Sequence, residues 1–344
     1  MIPNKPTPDP IGGGNRFFGK GHAQKGITEM TTHRLEASPE TVHWGYFDAK
    51  LAPQLTVDSG DTVTISTVSG TLGWLPKPDS GLTVPPALQA IHDKVQAKLG
   101  GPHILTGPVA VRGAKAGQVL EVRIKAIELF QDWGYNTIRP LAGALPDDFK
   151  TMRQIHIPLD KKRMIGKLPW GLDLDLKPFF GIMAVAPRPE YGAVSSVEPR
   201  EFGGNIDNKE LIAGTTLFLP VWAEGALFSA GDGHAVQGDG EVNLMALETA
   251  MSGTFELILH KGKTLSFPRA VTPTHYIAMG TDPDLDDAAK QALREMIKWL
   301  VEMKGWAPAD AYSFCSLACD LRVTQLVDGH KGIHAMVAKA LIDS

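Results

Sequence analysis

Between Gly231 and Glu248 the chain runs GDGHAVQGDGEVNLMALE, which sets Asp232, His234, Gln237, Asp239, Glu241 and Glu248 among four glycines. A segment built for packing carries apolar side chains at regular spacing. This one carries carboxylates and an imidazole on a backbone that glycine allows to turn sharply. Asp232 and His234 are one residue apart, so on an extended strand they share a face, about 7 Å apart along the backbone. Carboxylate and imidazole are ligands of a catalytic divalent metal, which needs about three protein ligands and an open position for water. Glu241, beyond the Gly-Asp-Gly turn, can fold back beside the first two. The plainer reading is an exposed hairpin whose Asp-Gly pairs only form turns, but a simple turn does not need Gln, His and Glu together.

Other residues widen the candidate set. His103, between Pro102 and an Ile-Leu pair, has the surroundings of a core histidine. Asn205 and Asp207 flank Ile206 and share a face on an extended backbone, either as an Asx-turn or as groups that bind a substrate or buttress a ligand.

Four further fragments accompany these residues: GGPHILTGPVAVRGAKAGQVLEVRI from Gly100 to Ile124, PFFGIMAVAP from Pro178 to Pro187, GGNID from Gly203 to Asp207, and GTTLFLPVWAEGALFSAGDGHAVQGDGE ending at Glu241. Together they resemble the acetamidase/formamidase family, from about His43 to the C-terminal VTQLVDGHKGIH. The resemblance implies hydrolysis of short amides to a carboxylate and ammonia, a β-rich sandwich, a zinc-like metal in some members and a relative acting on a γ-lactam. It also places a histidine at His103, before the Thr-Gly-Pro turn, as a metal ligand or active-site acid.

Amides resist hydrolysis because resonance stabilises them and the amine leaves poorly. A catalyst must generate a nucleophile, stabilise the oxyanion and protonate the nitrogen. The expectation is therefore a metal held by Asp232 and His234 with Glu241 or His103, zinc first and calcium as the alternative. Asp239 or Glu241 is the expected proton shuttle, and Gln237 is expected to orient the substrate NH2 through its carbonyl oxygen. Asn205 and Asp207 are the expected substrate-binding pair. Formamide or acetamide is the expected substrate, with a small lactam or urea-like compound as the alternative. A non-catalytic, calcium-dependent β-sandwich binding protein using Asp232, Asp239 and Glu241 is the competing class.

The elements that must position these groups read as mainly β (α+β), with sandwich-like sheets and a long helix in the C-terminal region. Gln54 to Gly70 alternates around Ser-Gly-Asp and predicts a β-hairpin. Strands are also predicted at Val109 to Val111, Val119 to Ile127, Thr215 to Val221, Glu241 to Leu247 and Thr254 to Leu259. Gly107-Pro108 reads as a turn, and Trp133 to Asp148 as a long ordered loop. Helices are predicted from Pro85 to Leu99 and from about Asp282. In the second, Thr281 or Asp282 caps, Pro283 sits in the first turn, and Leu285, Ala289, Leu293, Met296, Ile297 and Leu300 form a stripe. That stripe must bury on the sheets or against another subunit, and a homo-oligomer is expected.

Composition excludes other classes. Net charge is −4, and no basic run exceeds Lys161-Lys162-Arg163, so no nucleic-acid partner is expected. No apolar stretch is long enough to span a bilayer, so no membrane partner is expected either. Residues 1–30 are rich in Pro, Gly and polar groups without the apolar core of a signal peptide, and read as a disordered leader or tag-like segment. Residues 31–344 are the expected catalytic domain, with room for two interlocked subdomains divided near 150–180. Without an export signal the expected compartment is cytoplasmic, where Cys315 and Cys319 are reduced neighbours.

Overall fold

Alternating side chains build the larger of two facing sheets. In the computed structural model, which describes residues 30–343, its nine strands run in the order Thr32–Leu35, Thr62–Thr67, Met251–His260, Val119–Leu129, Thr216–Pro220, Arg269–Val271, His275–Asp282, Lys331–Ala338, Cys319–Gln325. The smaller sheet runs Gly203–Asn205, Phe179–Ala184, Phe228–His234, Ile104–Val111, Val42–Trp44, with Leu55–Val57 pairing in parallel to Ile104–Val111. The chain is therefore mainly β, as its patterning predicts. The expected leader at 1–30 falls, apart from Met30, outside the described residues.

The two sheets bury their facing side chains in one core. Phe255 of the larger sheet meets Phe180 and Phe228 of the smaller, with ring centroids 5.5 and 5.4 Å apart. Tilted or edge-on aromatic packing of this kind adds to simple area burial. Met251–His260 alternates buried and half-buried residues over most of its length, whereas Phe179–Ala184 and Ile104–Val111 are buried throughout. Those central strands are covered on both faces, the second face carrying the site.

A four-stranded meander, in the order Asp173–Asp175, Ile165–Lys167, Arg153–Asp160, Trp133–Ile138, lies over the polar end of the smaller sheet. It is fastened there by reciprocal backbone bonds of 2.9 Å between Tyr135 and Glu248. Strands from both sides of residues 150–180 share the two large sheets.

Helix Leu285–Lys304 covers the far end of the nine-stranded sheet. Its cap is Asp284, whose carboxylate accepts from the Asp286 and Asp287 amides, so Thr281 and Asp282 belong to the preceding strand and Pro283 lies before the cap. Its stripe, with Ala288, Ala292, Met296 and Leu300 fully buried, packs within the chain against Ala278, Ile333 and Val337. The helix can approach so closely because strand residue Gly280 lacks a Cβ, which would stand 2.3 Å from the Ala288 carbonyl. No helix among the described residues is long and apolar enough to cross a membrane.

Several sequence expectations are corrected. The Gln54 to Gly70 segment is no hairpin: Leu55–Val57 and Thr62–Thr67 enter different sheets, and the Ser-Gly-Asp turn joins the two layers. Gly107-Pro108 lies inside Ile104–Val111. Trp133–Ile138 is a strand, its Gly and Asn tolerated because six residues pair with Arg153–Asp160. Glu241 to Leu247 alternates but is not a strand, because Glu241 and Leu244 have φ of 44° and 79°. The first long helix is shorter than expected, Pro86–Lys94, and Pro308–Ala318 is an additional helix.

Candidate metal centre

Glycines let several elements converge on one point. Strand Phe228–His234 supplies Asp232 and His234, and its neighbour Phe179–Ala184 carries Gly181 beneath them. A Cβ on Gly181 would lie 2.5 Å from Asp207 Oδ1 and from Asp232 Oδ2 and 2.8 Å from the His234 ring, so the pocket for these groups exists only over glycine. Asp207 follows strand Gly203–Asn205 and is held by its amide, which donates to the Gly181 carbonyl at 3.1 Å. Gly240 donates to Thr324 and accepts from Leu326, at 3.1 and 3.0 Å, which docks the Glu241 turn beside the segment bearing Asp328. Glu248 bridges to His234 as well as to Tyr135.

Three overlapping ligand sets result, Asp207–Asp232–His234, His234–Glu241–Glu248 and Asp207–Glu241–Asp328, each with donor atoms within 4.8 Å of one another. All six residues are buried. Asp207, Asp232 and Glu241 have φ of 51°, 58° and 44°. Left-handed backbone is tolerated by aspartate and uncommon for glutamate, and strain of this kind gathers at functional sites.

The orientation of His234 is fixed from behind. Gln237 Nε2 donates to the Asp207 carbonyl at 2.9 Å. That carbonyl can only accept, so Gln237 Oε1 must face His234 Nδ1, 2.9 Å away, and Nδ1 carries the proton. His234 Nε2 then looks toward Asp232 Oδ2 at 3.2 Å and Glu248 Oε1 at 3.3 Å. Close as these are, neither has hydrogen-bond geometry, and Nε2 is left without a partner, as are both carboxylate oxygens of Asp207. Buried polar atoms are normally satisfied, and converging carboxylates without a cation repel one another. The donor set therefore fits a metal ion.

The electrostatics agree. Burial and the neighbouring Glu241, Asp328 and Asp232 push the Asp207 carboxyl well above its usual range. Glu241 is likewise pushed well up by burial and Asp328, against the pull of His234. Burial raises Glu248 to about 8, with His234 opposing and Asp232 adding, and burial raises Asp328 to about 7. Asp232 goes the other way, because His234 and His103 outweigh the effect of burial. Burial disfavours the His234 imidazolium, yet Glu248 and Asp232 raise it well above the ordinary histidine value. The cluster is short of positive charge.

The centre opens into a cavity of about 530 Å3 lined by His103, Asn205, Asp232, Glu241, Glu248 and Asp328 on its polar side. Asn205 is buried with Oδ1 unpartnered. His103 reaches the cavity with Nδ1 bonded to Ser196 Oγ at 2.9 Å, outside the three ligand sets. Asp207, expected to bind substrate, is instead at the heart of the carboxylate cluster. Asp239 stands apart: it is part-exposed and paired with Lys209 at 2.9 Å. Gln237 turns its carbonyl oxygen to His234 and is not among the residues lining this cavity.

Sequence reasoning did not assign Glu248, Asp328 or Gly181. Glu248 closes the same polar run, but its contact with His234 comes from a bridge no spacing reveals. Asp328 sits in an Asp-Gly pair that reads as a turn.

With this geometry in view, the chain matches the acetamidase/formamidase family over residues 31–193 and 189–338 and belongs to it. It is 26% identical over 263 residues to an acetamidase of Mycolicibacterium smegmatis, covering 55% of this chain and 65% of that protein. It is 26% identical over 250 residues to a formamidase of Methylophilus methylotrophus, covering 55% and 61%. These alignments span about three fifths of the length of such relatives. The crystal structure of an acetamidase from Bacillus halodurans superposes with a TM-score of 0.78 at 28% identity, over 90% of this chain and 98% of that one.

Proposed function

We propose that this protein is a metal-dependent amidohydrolase that cleaves short primary amides, formamide and acetamide among them, to a carboxylate and ammonia. The observation that carries the reading is the unpartnered His234 Nε2 facing Asp232 and Glu248 beside the unpartnered carboxylate of Asp207. Asp207, Asp232, Glu248 and His234 would hold a divalent cation, and we propose zinc because an imidazole nitrogen joins the oxygens. Bound there, the cation lowers the pKa of water toward about 7 and polarises the amide carbonyl.

The chain's own groups supply the rest. Asn205 Oδ1, a free acceptor at the cavity wall, takes a hydrogen bond from the substrate N–H and so distinguishes an amide from an acid. Glu241, which lines the cavity beside the cluster, accepts a proton from the attacking water on a carboxylate oxygen and returns it to the departing nitrogen. Burial of the cluster keeps these interactions strong. We also propose a homo-oligomer, because Leu141, Leu145 and Phe149 stand exposed on one loop, and light scattering at micromolar concentration tests it.

Elemental analysis with ammonia release is the test. Purified protein should hold a divalent metal, chelation should abolish turnover and metal should restore it. His234→Ala should lose both metal and activity while keeping its β-sheet circular dichroism. An active, metal-free protein would overturn the reading.

A further inference from the structure

The cavity is larger than the substrate that small amidases need. Pockets of about 300–1,000 Å3 enclose drug-sized ligands, and this one, at about 530 Å3, lies well inside that range. An amide of one or two carbons would leave most of it filled by water.

Its walls are chemically mixed. They combine the carboxylate cluster, His103 and Asn205 with the apolar side chains of Trp74, Leu244, Met245 and Val327. A single lysine or arginine lines the cavity, Arg139. Although the cavity is rich in carboxylates, Arg139 has no ion-pair partner among the described residues. Arg139 is solvent-exposed as well as cavity-lining, and its fork of N–H donors is free to meet a planar anion such as a carboxylate.

Its position sets the distance. Arg139 follows strand Trp133–Ile138 directly, and Tyr135 of that strand is bonded to Glu248 by both backbone groups. Four residues of extended chain carry the backbone about 13 Å past that anchor, and Pro140 restrains Arg139 to an extended conformation. A group that meets the guanidinium is therefore several bonds removed from a carbonyl held at the metal centre.

We propose that the preferred substrate is an amide whose acyl chain ends in a carboxylate, the monoamide of a dicarboxylic acid, with the chain lying along Trp74 and Met245 and the anionic end ion-paired to Arg139. Arg139 is thus the specificity-determining residue. The proposal rests on the amidohydrolase reading for its chemistry, though the anion site is a separate claim.

The test compares kcat/KM for glutaramate and adipamate with those for the uncharged amides of equal chain length, in the wild type, Arg139→Ala and Arg139→Lys. The wild type should favour the charged amides by about tenfold or more, the equivalent of one charge-assisted hydrogen bond, mainly through KM. The ratio should fall toward one in Arg139→Ala and recover in part in Arg139→Lys. Equal rates on charged and uncharged amides in the wild type, or an unchanged ratio in Arg139→Ala, would overturn it. Calorimetry with glutarate separates the two claims. If no amide is hydrolysed, the amidohydrolase reading fails and takes the substrate with it; Arg139-dependent glutarate binding would then show that the anion site alone is real.

Discussion

Gln237 joins His234 to Asp207: its carbonyl oxygen receives the His234 Nδ1 proton at 2.9 Å while its amide nitrogen donates to the Asp207 backbone carbonyl at the same distance. One neutral side chain thereby fixes both the tautomer of the imidazole and the height of the carboxylate opposite it. Partners of this sort are worth about 10–100-fold in metal affinity or activity. Gln237→Ala should lower metal content and ammonia release together by that order. Full metal occupancy and undiminished turnover in that variant would remove Gln237 from the centre.

Glu241→Gln separates proton transfer from ligation. The amide keeps the size of the side chain but cannot shuttle a proton, so turnover should fall by roughly 10²–10⁴ while the metal remains. Loss of metal in the same variant would make Glu241 a ligand instead.

Gly181→Ala tests the glycine floor. The new methyl would meet Asp207 Oδ1 and Asp232 Oδ2 at 2.5 Å, in a strand anchored on both sides, so the carboxylates must part. Metal content should drop sharply. Unfolding should be shifted as well, because overpacking a buried site costs about 1–3 kcal/mol. A variant with unchanged metal content and stability would show the floor to be more yielding than its geometry implies.

Acid should destabilise the fold through two buried histidines outside the ligand sets. Burial holds His43 down to about 4 against the pull of the Tyr46 carbonyl, and holds His334 down to about 4 against Asp239. The unfolded chain takes up protons near the ordinary value of 6.5 while the folded chain does not. Stability is therefore present above pH 6.5 and lost as pH falls from there toward 4, by about 3 kcal/mol for each group. Denaturant midpoints at pH 7.5 and 4.5 should differ accordingly, and His43→Gln should narrow the gap. An equal gap in that variant would rule out His43 as a source.

The strand-rich class and part of the candidate site were legible because both depend on short-range pattern. Alternation over Val119 to Ile127 needs no knowledge of its partners, and the spacing of Asp232 and His234 already suggests a shared face, though the left-handed Asp232 backbone departs from a plain extended strand. What depends on partners was not legible. Asp239 has the same chemistry as Glu241 and shares its neighbour Gly240, yet the turn sends it out to Lys209, and the docking of Gly240 on Thr324 and Leu326 decides which carboxylate goes inward. Leu55–Val57 and Thr62–Thr67 alternate like the arms of a hairpin, but alternation is silent about whether the neighbouring strand belongs to the same layer.

The double attachment of Glu248, to His234 on one side and Tyr135 on the other, has a mechanical consequence. The four-stranded meander cannot be raised like a flap without drawing this carboxylate away from the imidazole. Any lifting of the meander would disturb the proposed metal site, so the meander and the site move as one body.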